Sequence, residues 1–259
     1  MKKKYIIVFI GLVFYLIIMF LIFGDSKNKK NGKVNYILFA NNQIWEYTNS
    51  EILNVPNVVE IIGKNKFNIY ENGTYKGNFN LGLYESKMYL FDDNNNSYKY
   101  DGELMGFTDN NKHKVANLIN QTLDENDTTI IKRVFDNNNL NYQYINLNNV
   151  KKYIFDIDND SKNEIIYNIS NMFDEEKEGK GYSLIFVNDN GKINELIKDI
   201  KSNEESLLKG YGYYINNIAD INNDKKSEFI IAKSKYGSSK LCYMLIESVK
   251  NKYKITKKC

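Results

Sequence analysis

Two acidic segments of the same pattern constrain the fold of this 259-residue chain more than any other feature. Residues 155–166 read FDIDNDSKNEII and residues 219–231 read ADINNDKKSEFII, and their first aspartates lie 64 residues apart. In each segment an apolar residue precedes the first aspartate, and an apolar, strand-like pair follows the glutamate. Another apolar run, a polar turn and a further strand-like run follow each of them. A whole supersecondary unit is therefore repeated.

Counted from the first aspartate of each segment, oxygen-bearing side chains occupy positions 1, 3, 5 and 9. Alternate oxygen donors in a tight loop can converge on one point, which is the arrangement that a hard cation such as Ca²⁺ requires. Without a cation, three carboxylates held this close would repel one another. The predicted metal ligands are Asp156, Asp158, Asp160 and Glu164 in the first loop, and Asp220, Asn222, Asp224 and Glu228 in the second.

An EF-hand is excluded, because position 12 is Tyr167 in one loop and Ile231 in the other, and the flanks look like strands. The loops resemble instead the FG-GAP/VCBS repeat, the calcium-loop unit of integrin-α-type β-propellers, whose core reads roughly D-x-D-x-D-G-x-x-D/E before an apolar strand. The resemblance covers about residues 150–259. It implies propeller-like blades, structural Ca²⁺ in hairpin loops and an extracytoplasmic setting.

The sequence departs from that family pattern at two positions of the loops. The glycine of position 6 is Ser161 in the first loop and Lys225 in the second, where a backbone turn favours positive φ. In the second loop Asn222 stands in place of an aspartate. Because this change removes a charge, we expect it to weaken binding at the second loop.

The segment from Tyr5 to Gly24 carries no charge over 20 residues. A helix of that length rises about 30 Å, enough to cross the hydrocarbon core of a bilayer. The run is longer than the apolar part of a cleavable signal peptide, and no small-residue cleavage site follows it. We therefore expect residues 1–24 to form a single-pass transmembrane anchor and residues 25–33 to form a basic juxtamembrane linker.

Lysines flank the apolar segment on both sides, so the positive-inside rule does not orient it. A short cytoplasmic N-terminus is the simpler insertion, and incomplete ligand sets suit the high calcium concentration outside the cell. We therefore predict a cell-membrane protein with a cytoplasmic N-terminus and with residues 25–259 extracytoplasmic.

The positive net charge of the chain, +3, comes from the residues on either side of the apolar segment. Lys2–Lys4 and residues 25–33 contribute +3 each, so residues 34–259 carry −3.

The predicted fold class is mainly β: the N-terminal transmembrane helix precedes a β-propeller-like or meander β-sheet domain with one or two short helices. Residues 34–110 form a hairpin-rich region, in which Asn72-Gly73 is suited to a type I′ turn. Apolar residues at helical spacing predict a connecting helix over 111–125. Residues 126–259 form the FG-GAP/VCBS-like repeat region, with a strand at Ile130–Phe135 and a short helix near Glu204–Leu208.

The sequence contains no H-E-x-x-H, G-x-S-x-G, phosphate-binding glycine loop or C-x-x-C pair. His113, the only histidine, is expected on the polar side of the connecting helix, and Cys242 is expected to be a buried thiol. We therefore predict no catalytic residues and no enzyme activity. Because Arg133 is the only arginine, nucleic acid is not an expected partner either.

The expected function is binding or surface interaction, with a protein or carbohydrate ligand at the cell surface, since aromatic faces such as that of Trp45 can stack on sugars and on partner side chains. Two alternatives stay open at this point. One is a carbohydrate-active enzyme of the cell envelope that uses two carboxylates. The other is an accessory or sensor subunit of a membrane complex.

Overall fold

The computed structural model describes residues 34–258, apart from 41–42, 49–51, 56–57, 86, 100–102, 175–178 and 250–251. The anchor and the linker predicted over residues 1–33 lie outside this part of the chain. Within it, no helix has both the length and the apolar character needed to cross a membrane. The described chain is mainly β, with antiparallel strands in three sheets and two α-helices.

The eight strands of the N-terminal sheet are β1 (Asn35–Phe39), β2 (Gln43–Tyr47), β3 (Ile52–Asn54), β4 (Lys66–Glu71), β5 (Thr74–Tyr84), β6 (Lys87–Phe91), β7 (Ser97–Tyr98) and β8 (Leu104–Phe107). In the sheet they lie in the order β3-β2-β1-β8-β4-β5-β6-β7. Its turn between β4 and β5 has positive φ at Asn72 (48°) and Gly73 (73°), as the predicted type I′ turn requires.

The two copies of the repeated unit form two four-stranded meanders with the same strand order. In each, the acidic loop joins the first strand to the second. The first repeat sheet consists of β9 (Val150–Phe155), β10 (Glu164–Ser170), β11 (Gly181–Asp189) and β12 (Lys192–Lys201). The second repeat sheet consists of β13 (Tyr211–Ala219), β14 (Glu228–Lys235), β15 (Cys242–Val249) and β16 (Lys252–Lys257).

The second repeat sheet lies between the other two sheets. Alternate side chains of each of its strands point to opposite faces, so the sheet contributes to a core on both sides. On β14, Ile231 packs in the same core as Ile185 of the first repeat sheet. The adjacent Ile230 packs in the same core as Phe107 of the N-terminal sheet. The three sheets are therefore stacked, and none is closed into a barrel among the described residues.

The predicted connecting helix at 111–125 is wrong, because most of this segment is extended. Val115 forms a bridge with Ala219 of β13, and the Gln121 backbone N–H donates to the Lys152 carbonyl. The unpaired edges of the repeat sheets offer this segment hydrogen-bond partners. Val115, Ala116 and Leu118 pack against the sheets instead of along a helix face, whereas Ile119 is exposed.

Helix α1 (Glu125–Asn137) occupies the segment around Ile130–Phe135 that was predicted as a strand. Asp124 and Asp127 form a reciprocal capping box at its start, which satisfies two otherwise unpaired N–H groups. The apolar face of α1 covers the free face of the first repeat sheet. Helix α2 (Asn203–Lys209) confirms the short helix predicted near Glu204–Leu208.

Candidate metal centre

The two acidic loops share three hydrogen bonds from backbone N–H groups to carboxylates, with positions counted from Asp156 and from Asp220. The N–H of position 2 donates to the glutamate Oε2 of position 9 at 2.7 Å in both loops. The N–H of position 6 donates to the Oδ2 of position 1 at 3.3 Å and 3.0 Å. The N–H of position 7 donates to the Oδ1 of position 5 at 2.8 Å in both. The sequence repeat is therefore also a repeat of backbone structure.

Position 6 takes the left-handed conformation without a glycine. The φ angle is 71° at Ser161 and 73° at Lys225, and position 4 has nearly equal angles of 59° at Asn159 and 58° at Asn223. A non-glycine residue in this region costs about 1 kcal/mol. The left-handed turn expected at position 6 is thus formed without a glycine, at a small cost in stability.

The first loop brings three of its four predicted ligands together. Carboxylate oxygens of Asp156, Asp158 and Glu164 lie within 4.8 Å of one another. Asp160 is not part of this group, and its Oδ1 accepts the N–H of Lys162. Glu164 is buried at the base of the loop, whereas Asp158 is exposed.

The second loop differs from the first at the carboxylate of position 1. In the first loop, the Asp160 N–H donates to Asp156 Oδ1 at 3.1 Å. In the second loop, the equivalent N–H of Asp224 donates to Asn222 Oδ1 at 2.9 Å. Asp220 Oδ1 is consequently left without a hydrogen-bond partner, although Asp220 is only 6% exposed.

The Asn222 amide and the Ser227 hydroxyl are two further polar groups of the second loop that could contribute to an ion site. The Asn222 amide Nδ2 donates to Glu228 Oε1 at 3.3 Å, so these two side chains lie on the same side of the loop. The hydroxyl of Ser227, at position 8, is buried and also lacks a partner. Asn222 and Glu228 are thus in contact, and two buried oxygens of this loop, Asp220 Oδ1 and Ser227 Oγ, remain unsatisfied.

Burial and neighbouring carboxylates raise the pKa values of Glu228 and Asp220 in the second loop. Burial raises the pKa of Glu228 to about 8, and Asp224 and Asp220 add to the shift. The pKa of Asp220 is also raised, mainly by burial and then by the charge of Asp224. Without a cation, the folded state therefore disfavours the charged forms of these groups.

In the first loop, Glu164 and Asp156 shift in opposite directions. Burial raises the pKa of Glu164, and the nearby aspartates contribute. Burial also acts to raise the pKa of Asp156, but the net direction is downward, because the Lys114 ammonium group hydrogen-bonds to it and carries the opposite charge. A fixed positive charge is therefore already present at the first loop.

Lys114 and its neighbour His113 were not identified from the sequence as part of the site. Lys114 Nζ donates to the Asp156 carbonyl oxygen at 2.6 Å and forms an ion pair with Asp156 Oδ2 at 2.8 Å. His113 Nδ1 lies 2.8 Å from the Asp220 carbonyl oxygen. Two consecutive residues thus contact the first-position carbonyls of both loops. Neither residue lies in a repeat or a motif, so no local pattern could have indicated this contact.

The predicted surface position of His113 is wrong. Its side chain is fully buried and stacks on the Phe107 ring, with 3.7 Å between ring centroids. Its Nε2 lies 2.6 Å from Asp109 Oδ1. The histidine therefore connects the N-terminal sheet to the second acidic loop.

The two loops are linked to each other and to the stacking of the sheets. The Ser227 N–H donates to the Ile157 carbonyl at 2.8 Å. The Ile157 side chain packs between the two repeat sheets, and the equivalent Ile221 packs between the second repeat sheet and the N-terminal sheet. Each loop therefore contributes its second residue to the core between neighbouring sheets. A change in loop conformation would disturb that core.

The oxygen donors of the loops fit a hard divalent cation, since carboxylate, amide and carbonyl oxygens are the ligands that Ca²⁺ prefers. The unpartnered Asp220 Oδ1 is the specific observation in favour of this fit. The chain matches no protein-family model, no curated protein and no solved structure. The case for a metal centre therefore depends on the geometry of the loops themselves.

Cys242 at the start of β15 is disulfide-bonded, so the expected free thiol is wrong. A strand position in an apolar run suggested a buried thiol, but Cys242 is only partly buried. The other cysteine of the chain, Cys259, lies outside the described residues.

A polar cleft of about 370 Å³ opens at the ends of the repeat sheets that are remote from the acidic loops. Asn148, Asn149, Lys151 and Tyr214 contribute to its walls. Gly212 makes room beside it, since a Cβ atom there would lie 2.8 Å from the Tyr214 hydroxyl oxygen and 2.9 Å from the Phe173 ring. Amide groups and an aromatic ring thus face one space.

Proposed function

We propose that residues 34–259 form a calcium-stabilised binding domain, held at the outer face of the cell membrane by the N-terminal anchor. The buried, unpartnered Oδ1 of Asp220 carries the calcium part of this proposal, because a divalent cation would supply the partner that this oxygen lacks. Asp220, Asn222, Asp224 and Glu228 would hold an ion in the second loop, and Asp156, Asp158, Asp160 and Glu164 are the corresponding residues of the first.

The role of the ion would be structural. The Glu228 Oε2 accepts the N–H of Ile221, whose side chain packs between two sheets. An ion that neutralised Glu228 and Asp220 would remove the electrostatic cost of burying them and would favour the stacked arrangement. Binding to the folded loops alone stabilises the protein by mass action. These carboxylates already accept backbone N–H groups, which supports a structural role over a catalytic one.

The proposed extracytoplasmic position is supported by the disulfide at Cys242. Disulfides persist in oxidising compartments outside the cytoplasm. Calcium sites with incomplete ligand sets also suit the millimolar calcium of such compartments. Protease treatment of intact cells tests the orientation, since residues 34–259 should be cleaved only if they are outside the cell.

Thermal unfolding of the full-length chain tests the calcium proposal. Millimolar CaCl₂ should raise the melting temperature relative to chelator, since an ion at about 100 times its Kd contributes about 2.7 kcal/mol. Asp220→Asn should abolish most of this rise. MgCl₂ serves as the control, because Mg²⁺ demands a stricter octahedral geometry. Equal melting temperatures in CaCl₂ and chelator would contradict the proposal.

The binding part of the proposal is supported by the polar cleft. Amides both donate and accept hydrogen bonds, and tyrosine faces stack on sugar rings, so the lining suits a neutral carbohydrate. The test is saturation-transfer NMR on the full-length chain with neutral mono- and disaccharides, in a detergent without a sugar headgroup. Tyr214→Ala should abolish the transfer, and Tyr84→Ala, which removes an exposed tyrosine from β5, should not. No transfer from any sugar would remove the carbohydrate assignment.

A further inference from the structure

We propose that the two acidic loops are not equivalent: the ammonium group of Lys114 is the built-in cation of the first loop, and only the second loop exchanges a divalent ion. The chain would then bind one ion. This inference depends on the proposed calcium function, because it concerns which loop takes the ion.

The first loop already contains a positive charge at its first position. Lys114 Nζ lies 2.6 Å from the Asp156 carbonyl oxygen, 2.8 Å from Asp156 Oδ2 and 3.4 Å from Asn159 Oδ1. The same nitrogen lies 5.1 Å from the centroid of the Phe155 ring. The first loop thus offers Lys114 three oxygen contacts and an aromatic face.

The backbone holds Lys114 in place, so its ammonium group is tethered at the loop. The Lys114 carbonyl oxygen accepts the N–H of Asp220 at 2.9 Å. On either side, His113 contacts the Asp220 carbonyl and Val115 pairs with Ala219. A tethered cation competes at a high effective concentration with any ion from solution. A divalent ion entering the first loop would have to displace it or share Asp156 with it.

In the second loop the corresponding contact is made by His113, whose Nδ1 lies against the Asp220 carbonyl oxygen and not against a carboxylate of the loop. Among the residues that the structure describes, no lysine, arginine or histidine nitrogen forms an ion pair with Asp220, Asp224 or Glu228. Asp220 Oδ1 is buried and has no hydrogen-bond partner, and the Ser227 hydroxyl nearby in the chain has none either. A divalent ion bound at Asp220 would supply the partner that its buried Oδ1 lacks.

Asn222 is the cause of this difference between the loops. Its side-chain oxygen accepts the Asp224 N–H, a bond that the Asp156 carboxylate accepts from Asp160 in the first loop. The asparagine therefore leaves the Asp220 carboxylate available. The sequence predicts that Asn222 weakens ion binding at the second loop. In the structure, the same residue leaves the buried Oδ1 of Asp220 without a hydrogen bond.

Isothermal titration of the full-length protein with CaCl₂ tests the inference through stoichiometry. We expect one ion for the wild type and for Asp156→Asn. Asp220→Asn should weaken binding by more than about 100-fold, because removing even an outer partner of a ligand costs 10–100-fold. Lys114→Met should raise the stoichiometry to two, whereas Lys112→Met, which changes an exposed lysine two residues away, should leave it at one.

Two results would overturn the inference. One is a wild type that binds two ions with no change in Lys114→Met. The other is a protein that loses its ion in Asp156→Asn and keeps it in Asp220→Asn. The two aspartate variants decide the question even if Lys114→Met does not fold. A protein that binds no calcium in any form would instead contradict the proposed function itself, so the two failures are distinguishable.

Discussion

Replacing Glu228 by glutamine should stabilise the calcium-free protein at alkaline pH. The Glu228 residue is 2% exposed, and burial raises its pKa from the ordinary 4.5 to about 8. Because the pKa is higher in the folded state than in the unfolded state, the folded protein binds this proton more tightly. The corresponding stability is fully present below about pH 4.5 and is lost as the pH rises through about 8.

The size of the effect follows from the pKa difference and from the hydrogen bonds of the side chain. The difference between 4.5 and about 8 corresponds to about 5 kcal/mol at 1.36 kcal/mol per pKa unit. Glutamine keeps an acceptor for the Ile221 N–H but loses the bond from the Asn222 amide, which costs about 1 kcal/mol. The net gain above pH 8 is therefore about 4 kcal/mol, or about 8–16 °C in melting temperature for a protein of this size.

Circular dichroism melts in chelator at pH about 5 and about 8.5 measure this gain. It should be large at the higher pH and small at the lower one. In millimolar CaCl₂ it should disappear, because the ion stabilises the charged glutamate of the wild type only. Glu204→Gln on α2 makes the same charge change at an exposed position and should have no such effect. A Glu228→Gln protein that is no more stable than the wild type at pH 8.5 would refute the reasoning.

Three further substitutions test the packing and the backbone conformation of the repeat region, each by denaturant or thermal unfolding. Lys152→Met should cost about 3 kcal/mol, because Lys152 Nζ pairs at 2.6 Å with Asp127, whose side chain is 1% exposed and would be left as a buried, uncompensated charge. Lys151→Met, on the adjacent exposed position, should change little. Lys225→Gly should add about 1 kcal/mol by relieving the positive φ of 73°. Gly212→Val should cost about 1–3 kcal/mol, since its Cβ would overlap side chains beside the cleft.

Much of the strand structure could be predicted from the sequence, because it depends on local patterns. The Asn72-Gly73 turn and the two acidic loops fall where the turn residues and alternating apolar residues indicate. The segment 111–125 was misread, because an apolar spacing of 3 and 4 residues also suits an extended chain that pairs with the edge of a sheet. The capping residues Asp124 and Asp127 were the local signal that the helix begins later.

By itself, the sequence determined the repeat, the oxygen-rich positions of the loops and the β-rich class. Each of these can be read from the order of residue types within short segments. Only the tertiary structure decided how the two loops differ. Lys114 reaches Asp156 across 42 residues, and His113 reaches Asp220 across 107. Whether a loop carboxylate is paired with an ammonium group depends on such distant contacts. Whether an unpartnered carboxylate oxygen is costly depends on its burial, because burial removes the water that would otherwise satisfy it.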